Sequence, residues 1–170
     1  MRMTNPTALA RRTPPPALRA VRFEDVPAIL RLVRRAIEVG CREHYDREQQ
    51  AAVFAGYATT IFVEALGPFE SVVAEVEGRV AGYAQFDAPS CRLRALFVDG
   101  DRQGGGVGRA LLAEIERRAA ERRCARVHGA MSLNAMPFYE RSGYRALGGP
   151  ERLTSMGVRV PIVRMEKRLG

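Results

Sequence analysis

The chain has 170 residues, 46% hydrophobic and 27% charged, with a formal net charge of +8 at neutral pH. This is one ordinary soluble domain, and the composition excludes wholesale disorder, collagen and coiled coil. No run of about 18 uncharged apolar residues exists, so the sequence carries no membrane span.

The first seventeen residues hold Arg2, Arg11 and Arg12 with no acid, then Pro14, Pro15 and Pro16. Prolines in series neither continue a helix nor pair in a central strand, so residues 1–17 read as a disordered tail. With the tail set aside, the remaining basic excess is modest. It suits an anionic ligand, and without aromatic residues interleaved among the basic ones it does not point to nucleic acid. Lys167 is the only lysine and lies near the C-terminus, which argues against Schiff-base chemistry.

Ordered structure is expected to begin with a strand at 18–22. Asp25 reads as the cap of a helix in which Val26, Ile29, Leu30, Val33 and Ile37 recur at helical spacing, and which Gly40 ends. Two further helical pieces are predicted at 47–57 and 59–66. The period then changes. Residues 71–76, 79–86 and 93–98 read as three consecutive antiparallel strands, the first pair joined by a Glu77-Gly78 turn. A helix over 107–122 presents Val107, Leu111, Leu112, Ile115 and Ala119 on one face, with Glu114 and Arg118 paired at i, i+4 outside. A strand at 126–130 follows, parallel to 93–98 by the crossover rule. A short helix at 136–142 ends before Gly143, the expected left-handed cap, and strands at 144–147 and 158–167 close the chain.

The three cysteines, Cys41, Cys91 and Cys124, are odd in number and form no C-x-x-C, and the chain has two histidines. Disulfide and zinc frameworks are therefore not expected, and a reducing cytoplasm is the default compartment.

Between a strand and a helix lies Gln103-Gly104-Gly105-Gly106-Val107-Gly108. Glycines remove Cβ atoms and permit positive φ, so successive amides can converge on one anion, and the helix N-terminus adds unpaired donors. Arg109 in the first turn opposes the helix dipole and makes more sense beside a phosphate. The spacing satisfies neither G-x-G-x-x-G nor the P-loop.

Leu96-Phe97-Val98-Asp99, a four-residue gap, then Gln103 to Leu112 resembles motif A of the GNAT superfamily of acyl-CoA-dependent N-acyltransferases. The stretch Asn134-Ala135-Met136-Pro137-Phe138-Tyr139-Glu140-Arg141-Ser142-Gly143-Tyr144 resembles motif B. The order of elements fits from residue 18 to 169. Gly100 stands where the family commonly has proline. The asparagine position of motif B falls on Ser132, two residues before Asn134, so either residue is open for the cofactor contact of that motif.

The resemblance implies an α/β (α+β) fold with a mixed, mostly antiparallel central sheet of about six to seven strands flanked by helices. It implies one N-acetyltransferase domain over 18–170 with acetyl-CoA as co-substrate. The pantetheine arm would lie along Leu96, Phe97 and Val98, and the diphosphate on Gln103, Gly104, Gly105, Gly106, Val107, Gly108 and Arg109. An N–H near Val98 would polarise the thioester carbonyl. Tyr139 would be the general acid meeting the departing thiolate, and the amine would attack directly in a ternary complex. The acceptor would be a small-molecule or protein amine, with no nucleic acid or membrane partner, and a homodimer is compatible with the family. A non-catalytic acyl-CoA sensor is the competing reading. Asp87, Glu43 and His44 are candidate bases, His128 reads as a hydrogen-bonded strand residue, and Tyr45, Phe54, Tyr57 and Phe62 either line an acceptor pocket or fill the core.

Overall fold

The computed structural model describes residues 15–64 and 67–170, the side chains of residues 62–64 excepted. Most of the expected disordered tail lies outside the described residues, and Ala17 already pairs with Glu75. The elements in order are β1 (Ala17–Ala20), α1 (Val26–Gly40), α2 (Arg47–Glu64), β2 (Glu70–Val76), β3 (Arg79–Asp87), β4 (Arg92–Val98), α3 (Val107–Glu121), β5 (Arg126–Met131), α4 (Met136–Arg141), β6 (Arg145–Ala146), β7 (Glu151–Ser155) and β8 (Val158–Arg168).

They build an eight-stranded sheet in the order β1-β2-β3-β4-β5-β8-β6, with β7 paired to the first half of β8. All pairings are antiparallel except β4 with β5, as the crossover through α3 requires. The mixed sheet flanked by helices agrees with the expected class, one strand larger than the expected upper count. The added strand is β7. Its sequence, Glu-Arg-Leu-Thr-Ser, is largely exposed and polar, so it lacks the apolar alternation that marks a strand. What makes it a strand is the turn at Met156 and Gly157, both at positive φ, which folds it back on β8.

Strand alternation divides the interior in two. Val72, Ala74, Phe86, Leu111 and Ile115 pack on the α3 face. Val73, Tyr83, Ala95, Ile29, Val33 and Ile37 pack on the α1 face. Adjacent residues Val72, Val73 and Ala74 are fully buried in turn, because β2 is covered on both sides.

Three local expectations are corrected. Asp25 stands at the N-cap position of α1, but its side chain makes no capping bond there. It sits in a 3-10 turn, where its carboxylate accepts from the Arg22 amide at 2.7 Å and from the Arg19 guanidinium at 2.7 and 2.8 Å. The two helical pieces at 47–57 and 59–66 are one helix to Glu64. Thr59 and Thr60 return their hydroxyls to the carbonyls of Ala55 and Gly56 and do not interrupt the ladder. Finally, Cys91 and Cys124 form a disulfide, against the expectation that no disulfide forms. Thirty-three residues separate them, and only the folding of α3 across the sheet brings the start of β4 beside the end of α3.

Candidate active site

The site begins with a break in the sheet. β4 and β5 share one residue pair, Arg92 with His128, and the His128 amide donates to the Cys91 carbonyl at 3.2 Å. A Cβ on Gly129 would stand 2.6 Å from the Leu93 carbonyl oxygen, so the strands touch here because residue 129 is glycine. On its other edge β5 pairs with β8 along its whole length, Arg126–Met131 with Val163–Arg168. Past Arg92, the side of β4 away from β3 has no strand partner among the described residues.

A bulge in β4 contributes to the opening. Gln85 faces Ala95 while Phe86 faces Leu93, so Arg94 is the extra residue. From the bulge onward the pairing alternates regularly. The Asp99 amide donates to Ala81, so Ala95 and Phe97 direct their backbone groups at β3, and Leu96 and Val98 direct theirs into the gap. The Arg94 carbonyl also faces outward, accepting from the Tyr57 hydroxyl at 3.1 Å.

The loop after β4 ends on Gly106, whose φ of +85° makes it a left-handed cap of α3 with no side-chain donor or acceptor. The Gly105 amide is turned inward, donating to the Arg102 carbonyl at 3.3 Å. The amides of Gln103, Gly104, Gly106, Val107, Gly108 and Arg109 have no acceptor among the described residues. A Cβ on Gly104 or Gly106 would meet nothing within 4 Å, so the loop is a bare cradle of N–H groups at a positive helix end. Such a cradle fits a diphosphate. Gly108 differs: its Cβ would stand 3.3 Å from Val98 Cγ2 and 3.4 Å from the Phe138 ring, so its absence lets α3 sit close to β4 and α4.

A cavity of about 330 Å³ occupies the gap between the strands. Its lining includes Leu96 and Phe97 of β4, Ala130 and Met131 of β5, Ser132, Tyr139 of α4, and Tyr45 and Tyr57 from the α1–α2 side. Tyr139 is 4% exposed, and its hydroxyl makes no hydrogen bond among the described residues. Burial, reinforced by Tyr57 nearby, pushes its pKa above the ordinary phenol value. The Tyr45 hydroxyl donates to the Pro161 carbonyl at 2.7 Å and accepts from the Leu133 amide at 2.9 Å, and burial raises it to about 12.

Ser132 lines the cavity and Asn134 does not. The Asn134 carbonyl oxygen accepts from Cys41 Sγ at 3.4 Å, and its amide nitrogen lies against Gly40, so this side chain ties the turn before α4 to the end of α1. None of the candidate bases reaches the cavity. Asp87 accepts from Ser90, while Glu43 and His44 are exposed. His128 Nε2 lies 2.9 Å from the Ser90 carbonyl, the hydrogen-bonded role expected of it. Phe54 is outside the cavity, under the Arg34 guanidinium at 4.1 Å, and the Phe62 side chain falls outside the described residues.

Several lining residues carry no signal in the sequence: Cys41, Thr60, Gln85, Arg92, Arg94 and Ser155. Burial raises Cys41 to about 11, so it stays a thiol and is a poor nucleophile. A second hollow, between α3 and α4, is lined by Arg109, Phe138, Arg141, Ser142, Glu116 and Lys167.

A family model described as an acetyltransferase (GNAT) domain matches residues 41–169. No curated protein matches the chain. Among solved structures, the GCN5-related N-acetyltransferase (Aminotransferase, Class-II) of Rhodopseudomonas palustris superimposes with a TM-score of 0.85 at 26% identity, over 92% of this chain and 98% of that one. PaiA N-acetyltransferase of Thermoplasma acidophilum, in complex with coenzyme A, gives 0.75 at 14% identity over 91% and 99%. YncA of Salmonella typhimurium, with its cofactor acetyl-CoA, gives 0.61 at 17% over 91% and 94%. At these last identities the likeness is one of fold. Among the described residues no helix is long and apolar enough to cross a membrane.

Proposed function

Since this chain belongs to the GNAT acetyltransferase family, we propose that it transfers the acetyl group of acetyl-CoA to a primary amine by direct attack in a ternary complex. The observation that carries the reading is the strandless side of β4 leading straight into the open amides at the start of α3. The backbone groups of Leu96 and Val98 are free to pair with the amide-bearing pantetheine arm, as a neighbouring strand would. The amides of Gln103, Gly104, Gly106, Val107 and Gly108 take the diphosphate, and Arg109 and Arg141 flank the hollow at the nucleotide end. Gly105 acts by shaping this turn, since its own amide is spent on Arg102. Ser132, not Asn134, supplies the hydroxyl contact of motif B.

In the transfer a C–N bond forms and the C–S bond breaks. The amine nitrogen gives up one proton and the departing sulfur gains one. A β4 amide facing the gap, that of Leu96 or Val98, stabilises the charge that develops on the thioester oxygen. Tyr139 meets the sulfur. Complete transfer from an ordinary phenol near ~10 to a thiolate near ~8.5 is uphill by about 2 kcal/mol, and burial of Tyr139 raises that cost. Tyr139 therefore acts chiefly by donating a hydrogen bond to the leaving thiolate, with solvent completing the protonation. The high pKa of Cys41 argues against an acyl-enzyme. No carboxylate or imidazole lines the cavity among the described residues, so the amine sheds its proton to water.

We assign residues 18–170 to one acetyltransferase domain and the cytoplasm as its compartment, where acetyl-CoA is available. The test is thiol release from acetyl-CoA with a panel of amines, for the native protein and for Tyr139→Phe. Turnover that drops in the variant supports the reading. Tight acetyl-CoA binding without turnover, unchanged by Tyr139→Phe, would make the protein an acyl-CoA sensor instead.

A further inference from the structure

We infer that the acceptor is amphoteric: an amine that also carries an anionic group, carboxylate or phosphoryl, which the guanidinium of Arg92 binds. This rests on the acetyltransferase reading and names the substrate class of the same cavity.

The hydrogen-bonding inventory of the wall leads to it. Four hydroxyls of the cavity have already committed their protons to backbone carbonyls: Tyr45 to Pro161, Tyr57 to Arg94 at 3.1 Å, Thr60 to Gly56 at 3.0 Å and Ser155 to Ala52 at 2.9 Å. A hydroxyl so engaged keeps lone pairs but has no proton to give. Thr60, Ser155 and Tyr57 therefore offer acceptors to the N–H groups of an amine and nothing to an anion.

Charge on the wall has one sign. Arg92 and Arg94 are the charged residues among the described lining, with no aspartate, glutamate or histidine. Arg94 is held in place, donating to Gln85 Oε1 at 3.2 Å and stacked 4.0 Å from the Phe69 ring. Arg92, at the apex of the gap, is exposed and has no hydrogen bond or ion pair among the described residues. Both guanidiniums reach into the cavity electrostatically, since both favour the ionised form of Tyr57 against the effect of its burial.

A polycationic acceptor would meet two positive charges and no partner. An acceptor with an acidic group instead gains a fork of N–H donors at Arg92. The same positive field disfavours an ammonium, so it favours the neutral amine that must attack, in a cavity without a lining base.

The experiment measures thiol release from acetyl-CoA with L-phenylalanine, L-leucine and L-methionine, each matched with its carboxamide. The phosphonate analogue of L-phenylalanine and spermidine complete the set. The expected result is kcat/KM at least tenfold higher for an acid than for its carboxamide or for spermidine, with the phosphonate telling a carboxylate site from a phosphoryl site. Arg92→Gln should erase that preference by raising KM for the acidic amines, Arg92→Lys should restore part of it, and KM for acetyl-CoA serves as internal control. Carboxamides or spermidine used as well as the acids, or a preference that survives Arg92→Gln, would overturn the inference alone. Acetyl-CoA binding with no amine turned over would overturn the transferase reading and this one together.

Discussion

The Tyr57 hydroxyl on α2 donates to the carbonyl of Arg94, the bulged residue of β4, at 3.1 Å. One hydrogen bond thus fixes the helix that walls the cavity to the strand that opens it. In Tyr57→Phe the Arg94 carbonyl loses this partner, at a cost of about 1–3 kcal/mol. We expect Tm to fall by several degrees and KM to rise for the acceptor more than for acetyl-CoA. A variant as stable as the native protein, with both KM values unchanged, would remove this bond from the account.

Tyr139→Phe should lower kcat by about 10–100-fold, the loss of one hydrogen bond to a charged leaving group. Acetyl-CoA affinity by calorimetry should stay close to native. Because burial raises the Tyr139 pKa, its proton stays in place below pH ~10. The kcat profile between pH 7 and 9.5 should therefore have the same shape in both proteins. An alkaline limb below pH 9 that vanished in the variant would mean that Tyr139 titrates low.

The glycines of the loop should separate by role. Gly106→Ala places a Cβ in open space but at a φ of +85°, which costs about 1 kcal/mol of stability. The fold should survive with weakened acetyl-CoA binding. Gly108→Val pushes against Val98 and Phe138, and its overpacking should cost about 1–3 kcal/mol. Calorimetric titration showing native acetyl-CoA affinity in both variants would count heavily against the amide cradle.

Closing a 33-residue loop with the Cys91–Cys124 disulfide should stabilise the oxidised protein by about 4 kcal/mol through the unfolded chain. A reducing compartment would hold both cysteines as thiols, so the two forms are compared. Melting of the oxidised protein, the dithiothreitol-treated protein and Cys124→Ser should place the first well above the other two. Three coincident melting curves would show that the bond does not form.

Stability should decline in alkali, with a definite onset. Burial raises Cys41 from 9.0 to about 11 and Tyr45 from 10.0 to about 12. In each case the folded chain keeps a proton that the unfolded chain releases, so this stability is complete below the unfolded pKa and is lost as pH rises through the folded one. Denaturant midpoints should stay level to pH 9, fall from 9 to 12, and begin falling about one pH unit later in Cys41→Ala. A decline already under way at pH 8 would point to another group.

Local chemistry made much of this protein legible in its residues. The three strands of the meander alternate or run apolar over short spans, and α3 repeats Val107, Leu111 and Ile115 at helical spacing. The glycines before α3 announce a loop of open amides, because a bare helix N-terminus needs no distant partner to present them. Sequence alone could not say where β4 and β5 part, that Cys91 meets Cys124, that Asn134 turns to Cys41 while Ser132 takes its place on the cavity wall, or that Arg92 has no counter-ion among the described residues. Each of these depends on residues far apart in the chain. The bulge at Arg94 adds one residue to β4, and with a period of two that single residue decides which backbone groups face the gap. The tertiary structure makes that decision, because the register of β4 is set by its pairing with β3 and by the hydroxyl that α2 brings to it.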